Sequence, residues 1–562
     1  CAFRVAKPGT RFGLPEVNVG LIPGAGGTQR APRLLGWDMA VDMAVFGSTK
    51  TTNDLLAVGA IDLVSATPED EVRQFLGRAY TPVSQRVVDQ HPDFLSVEER
   101  ARKVAKGTKA PLHNLMALSW ATEPYCDAQP KERALHLKLR ASEESKALRH
   151  IFFAERAAAK PPQLAGASEK DIAQVAIVGG GLMGCGIAAA SLTAGYAVTL
   201  IERDDAAADQ AQSTVASLLD GARARGKLTA DKHRQCLDQL STTTRYETVA
   251  GADLAIEAVF ENLDVKRDVF ARLAKLVRPD ALLATNTSYL DPNDIFSGVP
   301  KPARCLGLHF FSPAHIMKLV EVIEGAGTSS QTLATAFRFA KTLRKTPVLT
   351  GICDGFVGNR ILTAYRRAAE YLLADGTLPH EVDAAMRAFG MAMGPFEVQD
   401  QAGLQIAEAY RRRHDATRDP AERYVPIADR LCAENRYGQK TGAGWYRYAE
   451  GSRTPQRDDA VDGMILTYSD ETGLTRKTFA TEDIQTQLLA AMANEGARIV
   501  DEGIAASADV VDVVKTAGYG FPRWRGGPMH WADTIGDDIV RKTLDDMDIA
   551  SPGSWVRARR YQ

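Results

Sequence analysis

The sequence lacks the features that would assign it to several specialised classes. Its 562 residues include seven cysteines with no C-x-x-C pair, which indicates neither a disulfide framework nor a zinc site and fits a reducing compartment. No apolar run approaches the length of a membrane span and nothing at the start has the pattern of a signal peptide, so we expect no stable membrane insertion. Lys and Arg total 68 against 70 Asp and Glu, so a net charge of −2 gives no reason to expect nucleic acid as a partner.

What remains is an ordinary globular composition, with 45% hydrophobic and 25% charged residues. The length allows roughly three or four domains, and no metal site is indicated. The last three residues, Arg560 to Gln562, differ from the Ser-Lys-Leu type of peroxisomal address. We therefore expect a cytoplasmic, bacterial location rather than a peroxisomal one.

Residues 175–204 have the pattern of a dinucleotide-binding βαβ unit. The apolar run 175–178 has the length and β-branched content of a buried strand. Gly179, Gly181 and Gly184 follow as G-x-G-x-x-G, a spacing that aims a helix N-terminus at a pyrophosphate. Glycines also mark ordinary tight turns, so the motif is informative only because the strand and the helix flank it.

An acidic residue at the end of the next strand selects between the two nicotinamide cofactors. The apolar run 197–201 ends in Glu202, 23 residues after Gly179 (202 − 179). A carboxylate there accepts hydrogen bonds from the ribose hydroxyls and repels a 2′-phosphate, which favours NAD over NADP. Arg203 is the one residue that would favour NADP, because an arginine can hold a 2′-phosphate. We expect its side chain to lie on the adenine or in solvent.

Residues 13–29 form a loop-rich segment with two prolines and five glycines. Glu16 lies between Pro15 and an apolar valine, where it is either a plain loop carboxylate or a half-buried general acid or base. The continuation into PGAGGTQR (23–30) resembles the enoyl-CoA hydratase/isomerase (crotonase) family. By that resemblance, Glu16 is the second of the family's two catalytic glutamates.

The crotonase resemblance is incomplete at its start. The family's first glutamate and the N–H groups of its oxyanion hole belong to a stretch that would precede Cys1. Loss of one oxyanion donor alone lowers the rate by about 10²- to 10³-fold, so hydration is expected to be nearly lost if Cys1 is the true start. The alternative is that this part only binds CoA or a partner protein.

A histidine and a glutamate interrupt two neighbouring apolar runs further along the chain. His309 and Glu321 are 12 residues apart (321 − 309), flank Pro313, and can meet across neighbouring strands. Either one alone would usually be a satisfied core residue. Together they suit a base that takes a hydroxyl proton, because a carboxylate behind an imidazole fixes its tautomer and raises its basicity.

This region resembles the L-3-hydroxyacyl-CoA dehydrogenase family. The strings that carry the resemblance are N-T-S (286–288), L-H-F-F (308–311), V-E-V-I (320–323) and G-F-V-G-N-R (355–360). The resemblance implies that His309 is the base and Glu321 its orienting partner. It also implies that Ser288 and Asn359 hydrogen-bond the oxygens of the substrate.

The same resemblance implies a set of cofactor contacts. An E-N-x-x-x-K string places Glu261 and Lys266 by the nicotinamide ribose, although from the residues alone they are equally a helix-start acid and a solvated lysine. Ser312 stands where the family usually has asparagine, and Tyr289 replaces a common serine. The full set of expected NAD contacts is Gly179, Gly181, Leu182, Met183, Gly184, Glu202, Val259, Glu261, Lys266, Asn286, Ser288 and Ser312.

The last third of the chain is helical and repeats itself. Residues 366–403 are echoed by 490–536, and each copy passes from a helix to a Gly-Pro turn, at 394–395 and 527–528. A helical unit that cannot bury its apolar face alone needs a partner copy. Two copies in one chain can satisfy each other, which favours a monomer.

The expected architecture is a partial crotonase fold, a Rossmann NAD-binding domain and two repeated all-helical domains. The resemblance as a whole is to multifunctional fatty-acid β-oxidation enzymes, which implies NAD-dependent oxidation of L-3-hydroxyacyl-CoA together with enoyl-CoA hydration, acyl-CoA substrates, and a thiolase as a candidate partner. A 3-hydroxyacid dehydrogenase that does not use CoA is the third hypothesis. The expected domains are residues 1–64, 65–170, 171–352, 353–450 and 451–562.

Overall fold

The computed structural model describes residues 2–88 and 93–562. The described chain forms two units by packing: one comprises the residues up to 153 together with 523–526, and the other comprises 154–522 together with 527–562. The finer division into five domains stays a prediction. Among the described residues, no helix has both the length and the apolar character needed to cross a membrane.

The first unit consists of short strand pairs and helices. Parallel pairing joins β1 to β4 and antiparallel pairing joins β2 to β3. Its main core lies among α1, α2, α5 and α6, where small and aliphatic side chains such as Ala40, Val41 and Leu118 are buried. The elements are β1 (Val5–Ala6), β2 (Arg11–Gly13), α1 (Gly27–Leu35), α2 (Trp37–Ala44), β3 (Thr49–Thr51), α3 (Thr52–Ala57), β4 (Leu63–Val64), α4 (Pro68–Glu71), α5 (Phe94–Ala105), α6 (Ala110–Ser119), α7 (Tyr125–Arg140) and α8 (Glu143–Ala158).

The first half of the second unit is an α/β domain. Its elements are β5 (Gln174–Val178), α9 (Leu182–Ala194), β6 (Ala197–Ile201), α10 (Asp205–Ala224), α11 (Ala230–Asp238), β7 (Leu240–Thr243), β8 (Leu254–Glu257), α12 (Leu263–Leu276), β9 (Leu282–Thr285), α13 (Pro292–Ile295), β10 (Cys305–Phe310), β11 (Leu319–Ile323), α14 (Ser330–Thr342) and β12 (Thr346–Thr350).

The eight strands form one sheet in the order β12-β11-β10-β9-β8-β5-β6-β7. All neighbouring pairs are parallel except β10 with β11. Two separate cores cover its two faces, which explains why the central strands read as continuous apolar runs. The direction of chain progression reverses between β5 and β8, so the crevice beyond their carboxyl ends is where such folds bind ligands. The Rossmann expectation is confirmed.

The second half of this unit is helical and shares one large core. The most extensive helix packing in it is between α15 and α21. The helices are α15 (Gly358–Asp375), α16 (Pro379–Phe389), α17 (Pro395–Ala402), α18 (Leu404–His414), α19 (Ile427–Ala433), α20 (Asp459–Glu471), α21 (Thr481–Asp501), α22 (Ala508–Gly518), α23 (Pro528–Ile535) and α24 (Asp537–Ala550).

A buried aspartate marks the same place in each helical copy. Asp383 on α16 accepts the backbone N–H groups of Phe396 and Glu397 at 3.0 Å each, at the start of α17. Asp512 on α22 accepts those of Met529 and His530 at 2.8 and 3.0 Å, at the start of α23. Both use the unpaired N–H groups that every helix N-terminus leaves. This shared capping contact gives the two copies a common register.

Candidate active site

The antiparallel pairing of β10 and β11 brings His309 and Glu321 together. The two residues are direct cross-strand partners, and the distance between His309 Nδ1 and Glu321 Oε2 is 2.7 Å. Both side chains are almost fully buried. Because a carboxylate only accepts, Nδ1 carries the proton and the neutral ring keeps Nε2 as its acceptor. The imidazole is thereby held in one orientation by the carboxylate.

The second oxygen of Glu321 is also held. Glu321 Oε1 accepts the backbone N–H of Gly358, the first residue of α15, at 3.0 Å. The rings of Phe311 and Phe356 lie 4.4 and 5.7 Å from the imidazole, centroid to centroid. Glu321 therefore has a partner on each oxygen, and the pair sits in an apolar surround.

Asn359 and Ser288, expected near the substrate, and Ser312, expected near the nicotinamide, occupy different positions. Asn359, next to Gly358, accepts a hydrogen bond on Oδ1 from the hydroxyl of Tyr519 at 2.8 Å. Ser288 follows β9, and its backbone N–H donates to Glu261 Oε1 at 2.9 Å. Ser312 is exposed and precedes Pro313 through a cis peptide bond.

The glycine motif forms a tight cradle between β5 and α9. Gly179 has φ of +98°, and a Cβ there would lie 2.8 Å from the carbonyl oxygen of Ala258. A Cβ on Gly184 would lie 1.8 Å from the carbonyl oxygen of Gly179, whereas a Cβ on Gly181 would meet nothing within 4 Å. Two glycines thus permit close packing and the third leaves open space. The N-terminus of α9 has no side-chain cap, which suits an anion.

A pocket of about 910 Å³ opens beside this cradle. Glu202 lies in its wall, where Oε1 accepts the N–H of Gly180 at 2.5 Å and Oε2 accepts that of Arg203 at 2.9 Å. Arg203 itself extends into solvent and pairs with Asp204. The volume of the pocket, the open space at Gly181 and the carboxylate of Glu202 in the wall fit an NAD molecule. The predicted cofactor residues in this wall are Gly179, Gly181, Leu182, Met183, Glu202 and Val259.

Glu261 and Lys266 belong to a charged cluster at the carboxyl ends of β8 and β9, in which Lys266 is buried and Glu261 is exposed. Lys266 Nζ lies 2.7 Å from Glu257 Oε1 and 3.2 Å from Glu261 Oε2. Its side chain is 1% exposed, so the interpretation of Lys266 as a solvated lysine is wrong. Burial alone would raise the pKa of Glu261, but Lys266 and the hydroxyl of Thr287 hold that pKa below its usual range.

Glu257 is the member of this cluster that sequence reasoning missed. It also accepts the hydroxyl of Thr285 at 2.7 Å and the N–H of Val259 at 2.8 Å. The available signal was an acid inside an apolar strand with a lysine nine residues later. Asn286 has a neighbouring role, since its Oδ1 accepts the N–H of Phe310 at 2.8 Å and so joins the end of β9 to the strand that carries His309.

Glu16 lies in the other unit, on a short 3-10 helix at Pro15–Val19. The side chain is half-buried, and its Oε2 is buried with no hydrogen-bond partner among the described residues. The loop after it is fixed from α6 and α7: Asn114 donates to the carbonyl of Leu21 at 2.9 Å, and His136 Nδ1 lies 2.7 Å from the carbonyl oxygen of Ile22.

The PGAGGTQR string is held by a glutamate that its motif does not include. Glu132 on α7 accepts the N–H of Gly26 at 2.5 Å and that of Thr28 at 2.9 Å, together with the Thr28 hydroxyl. It thereby caps the start of α1. No pattern around Glu132 sets it apart from the other charged residues of its helix, so the sequence alone could not have identified it.

Comparison with known families accounts for most of the chain. Residues 174–353 match the NAD-binding domain of 3-hydroxyacyl-CoA dehydrogenase, and 355–448 with 484–560 match its C-terminal domain. Residues 1–94 match enoyl-CoA hydratase/isomerase. The peroxisomal bifunctional enzyme of Cavia porcellus is 37% identical over 97% of this chain and 79% of its own length. The chain belongs to the multifunctional fatty-acid β-oxidation enzymes.

A plant relative and a solved structure also align with most of this chain. A peroxisomal fatty acid beta-oxidation multifunctional protein of Oryza sativa subsp. japonica is 32% identical over 100% of this chain and 80% of its own. Among solved structures, the dehydrogenase part of multifunctional enzyme 1 from C. elegans aligns with a TM-score of 0.57 and 28% identity, covering 74% of this chain and 96% of that one. The family and its two catalytic modules are thereby confirmed, as is NAD as the cofactor.

One expectation about this multifunctional enzyme is wrong. The expected location was cytoplasmic and bacterial rather than peroxisomal, but relatives that match nearly the whole chain are named peroxisomal or glyoxysomal. The error lies in the reasoning from the last three residues. Such an address is a short receptor-read peptide and is independent of the fold and the chemistry that the relatives share.

Proposed function

We propose that His309 is the general base of an L-3-hydroxyacyl-CoA dehydrogenase site and that Glu321 orients it. The observation that carries this proposal is the chain of contacts from His309 Nδ1 to Glu321 and on to the N–H of Gly358. It leaves Nε2 as the ring atom able to take the 3-hydroxyl proton of the substrate. Glu321 then stabilises the imidazolium, and Gly358 keeps the carboxylate from turning.

NAD, when bound, accepts the hydrogen and electron pair that leave C3 of the substrate. Its pyrophosphate would be held by the N-terminus of α9 over Gly181, and its adenosine ribose by Glu202. Glu261 and Lys266 are proposed at the nicotinamide ribose. Ser288 and Asn359 are proposed to hydrogen-bond the oxygens of the acyl thioester, and Ser312 to lie at the edge of the nicotinamide site.

For the first unit, we propose that Glu16 is one of the acid-base groups of enoyl-CoA hydration. Its buried oxygen without a partner supports this, because a proton-transfer group must have an atom left to face water or substrate. The second candidate function is a module that binds CoA or a protein such as a thiolase without catalysis. Glu132 favours neither reading, since its oxygens are used within the fold.

We also propose that the chain acts as a monomer through pairing of its two helical copies. The extensive packing of α15 against α21 and their common core support internal pairing. Sedimentation of the purified chain tests this directly.

The experiment that tests the proposed function is NADH formation from NAD and three substrates. L-3-hydroxyhexanoyl-CoA tests the dehydrogenase, trans-2-hexenoyl-CoA tests hydration followed by oxidation, and free 3-hydroxyhexanoate tests whether CoA is needed. NADH from both thioesters supports two active modules. NADH from the hydroxyacyl thioester alone supports the binding-module reading, and equal turnover of the free acid would overturn the CoA assignment.

A further inference from the structure

Tyr519 connects the second helical copy to the proposed substrate site of the first. It follows α22, and its hydroxyl lies 2.8 Å from Asn359 Oδ1 on α15. Burial raises the pKa of Tyr519 well above its ordinary range, with the charge of Glu321 adding to the effect. The hydroxyl therefore keeps its proton and is the donor in this hydrogen bond.

This contact determines which end of the Asn359 amide is available. An asparagine side chain has one carbonyl oxygen and one NH₂ group, and the oxygen is the end that can accept from a tyrosine hydroxyl. No described residue accepts a hydrogen bond from Asn359 Nδ2 in this structure. The amide is thus turned so that its donor is free, which is the polarity needed to bind a carbonyl or hydroxyl oxygen.

The position of the tyrosine ring is fixed by close packing. A Cβ placed on Gly358 would lie 2.2 Å from Tyr519 Cε2, so the ring lies directly on the backbone of the first turn of α15. Phe311 meets the ring edge-on at 5.3 Å, and Lys515 Nζ lies 4.1 Å from its centroid. Phe311 is also the neighbour of His309, so the tyrosine and the base share one wall.

The tyrosine is particular to the second copy. The aspartates Asp383 and Asp512 give the copies a common register, and the residue seven positions later is Gly390 in the first (390 − 383) and Tyr519 in the second (519 − 512). A glycine has no group that could make the corresponding contact. The two copies therefore have different tasks: one carries Asn359 and the other holds it.

We propose that Tyr519 is a positioning residue of the dehydrogenase site. It holds the Asn359 amide so that Nδ2 donates to an oxygen of the 3-hydroxyacyl thioester, and this inference rests on the proposed function. The second helical copy thereby completes the substrate site and does more than cover an apolar face.

A double-mutant cycle on the full chain tests the proposal. Tyr519→Phe keeps the ring that packs on Gly358 and removes only the hydroxyl. With NAD and L-3-hydroxyhexanoyl-CoA, it should lower kcat/KM by about 3- to 10-fold, the range expected for one neutral hydrogen bond. In an Asn359→Ala background the same change should have less than about a 2-fold effect, because the group it positions is gone.

The controls separate positioning from general damage. The apparent Tm and the Kd for NADH should not change in Tyr519→Phe, and Tyr468→Phe, which removes another buried tyrosine hydroxyl of the helical core, should leave kcat/KM unchanged. Equal fold losses from Tyr519→Phe in both backgrounds would overturn the proposal while the dehydrogenase assignment stands. A wild-type chain that neither oxidises the hydroxyacyl thioester nor binds 3-oxohexanoyl-CoA would overturn the proposed function itself.

Discussion

Glu321 and Glu16 are both proposed at catalytic sites, but the fold holds them in opposite ways. Glu321 is fully buried in a strand and each of its oxygens has a partner, His309 on one side and the N–H of Gly358 on the other. Glu16 is half-buried on a short 3-10 helix, and its buried oxygen has no partner among the described residues.

The difference shows how one residue type supports two tasks. A carboxylate that is fully buried, with a partner on each oxygen, can orient and stabilise a neighbour, but it exposes no oxygen to the substrate. A carboxylate with an unsatisfied buried oxygen carries a desolvation penalty that water or a substrate relieves on binding. The contacts alone therefore predict an indirect role for Glu321 and a direct one for Glu16.

The largest expected effect comes from removing the base that Glu321 serves. His309→Gln should lower kcat for L-3-hydroxyacyl-CoA oxidation by about 10³-fold, because His309 is the group that we propose takes the hydroxyl proton. The affinity for NAD should be nearly unchanged, since His309 is not among the residues that line the pocket beside the glycine motif. Stopped-flow NADH formation and NADH titration measure the two quantities. A fully active variant would remove His309 from the mechanism.

The next effect tests the indirect role of Glu321. Glu321→Gln replaces one acceptor oxygen by a donor, so it loses either the imidazole or the Gly358 contact and should lower kcat by about 10²-fold. KM for the thioester should change little. Hydration of trans-2-enoyl-CoA, which uses the other unit, is the internal control. A variant that loses substrate affinity and not kcat would mean that Glu321 contacts substrate.

Glu16→Gln tests the direct role on the other side of the comparison. Where the chain hydrates trans-2-enoyl-CoA, the variant should lower that rate by about 10²-fold and leave oxidation of the hydroxyacyl thioester intact. Absorbance of the enoyl thioester follows the first reaction and NADH the second. An unchanged hydration rate would contradict a catalytic Glu16 and favour the binding module.

The smallest effect concerns the lysine near Glu321. Burial, with Arg366 second, lowers the pKa of Lys515 to about 7 from its ordinary value of 10.5. Below pH 7 the lysine is charged in both the folded and unfolded chain, so the folded state bears the full penalty of a buried charge. Between about pH 7 and 10.5 only the unfolded lysine is still protonated. The loss of folding stability caused by Lys515 therefore becomes smaller as the pH rises through this range.

Lys515→Met removes this charge and should therefore stabilise the fold most at low pH. We expect a gain on the order of 2 kcal/mol at pH 6 that is smaller at pH 9. Apparent Tm at the two pH values measures it, with Lys542→Met, an exposed lysine, as the matched control. A gain that grows with pH would show that the folded chain pairs the Lys515 ammonium and raises its pKa, contrary to this prediction.

The features that local pattern determines were predictable from the sequence. The strand, glycine motif and acid at 175–202 depend on neighbours in the chain, and so does the pairing of His309 with Glu321, which needs only that two consecutive strands run antiparallel. The resemblance supplied the family. The roles given to Ser288, Asn359, Ser312 and Glu16 remain predictions.

What escaped prediction depends on contacts between distant parts of the chain. Glu132 caps a helix that begins 105 residues earlier (132 − 27), and Tyr519 reaches a residue 160 positions before it. Neither has a local pattern, because a buried glutamate or tyrosine reads like any other until its partner is known. Lys266 was ambiguous for the same reason: its burial follows from Glu257 on a different element.

The hydrogen bonds of the dehydrogenase site span very different lengths of chain. The His309 to Glu321 contact closes 12 residues, the Glu321 to Gly358 contact 37, and the Tyr519 to Asn359 contact 160. Short closures form first and lose the least chain entropy. During synthesis, the His309 to Glu321 contact can thus form soon after β11 emerges, whereas the contact of Asn359 with Tyr519 must await a residue made 160 positions later. A nascent chain that has not yet reached Tyr519 already contains the residues that line the cofactor pocket but lacks the partner that we propose positions Asn359.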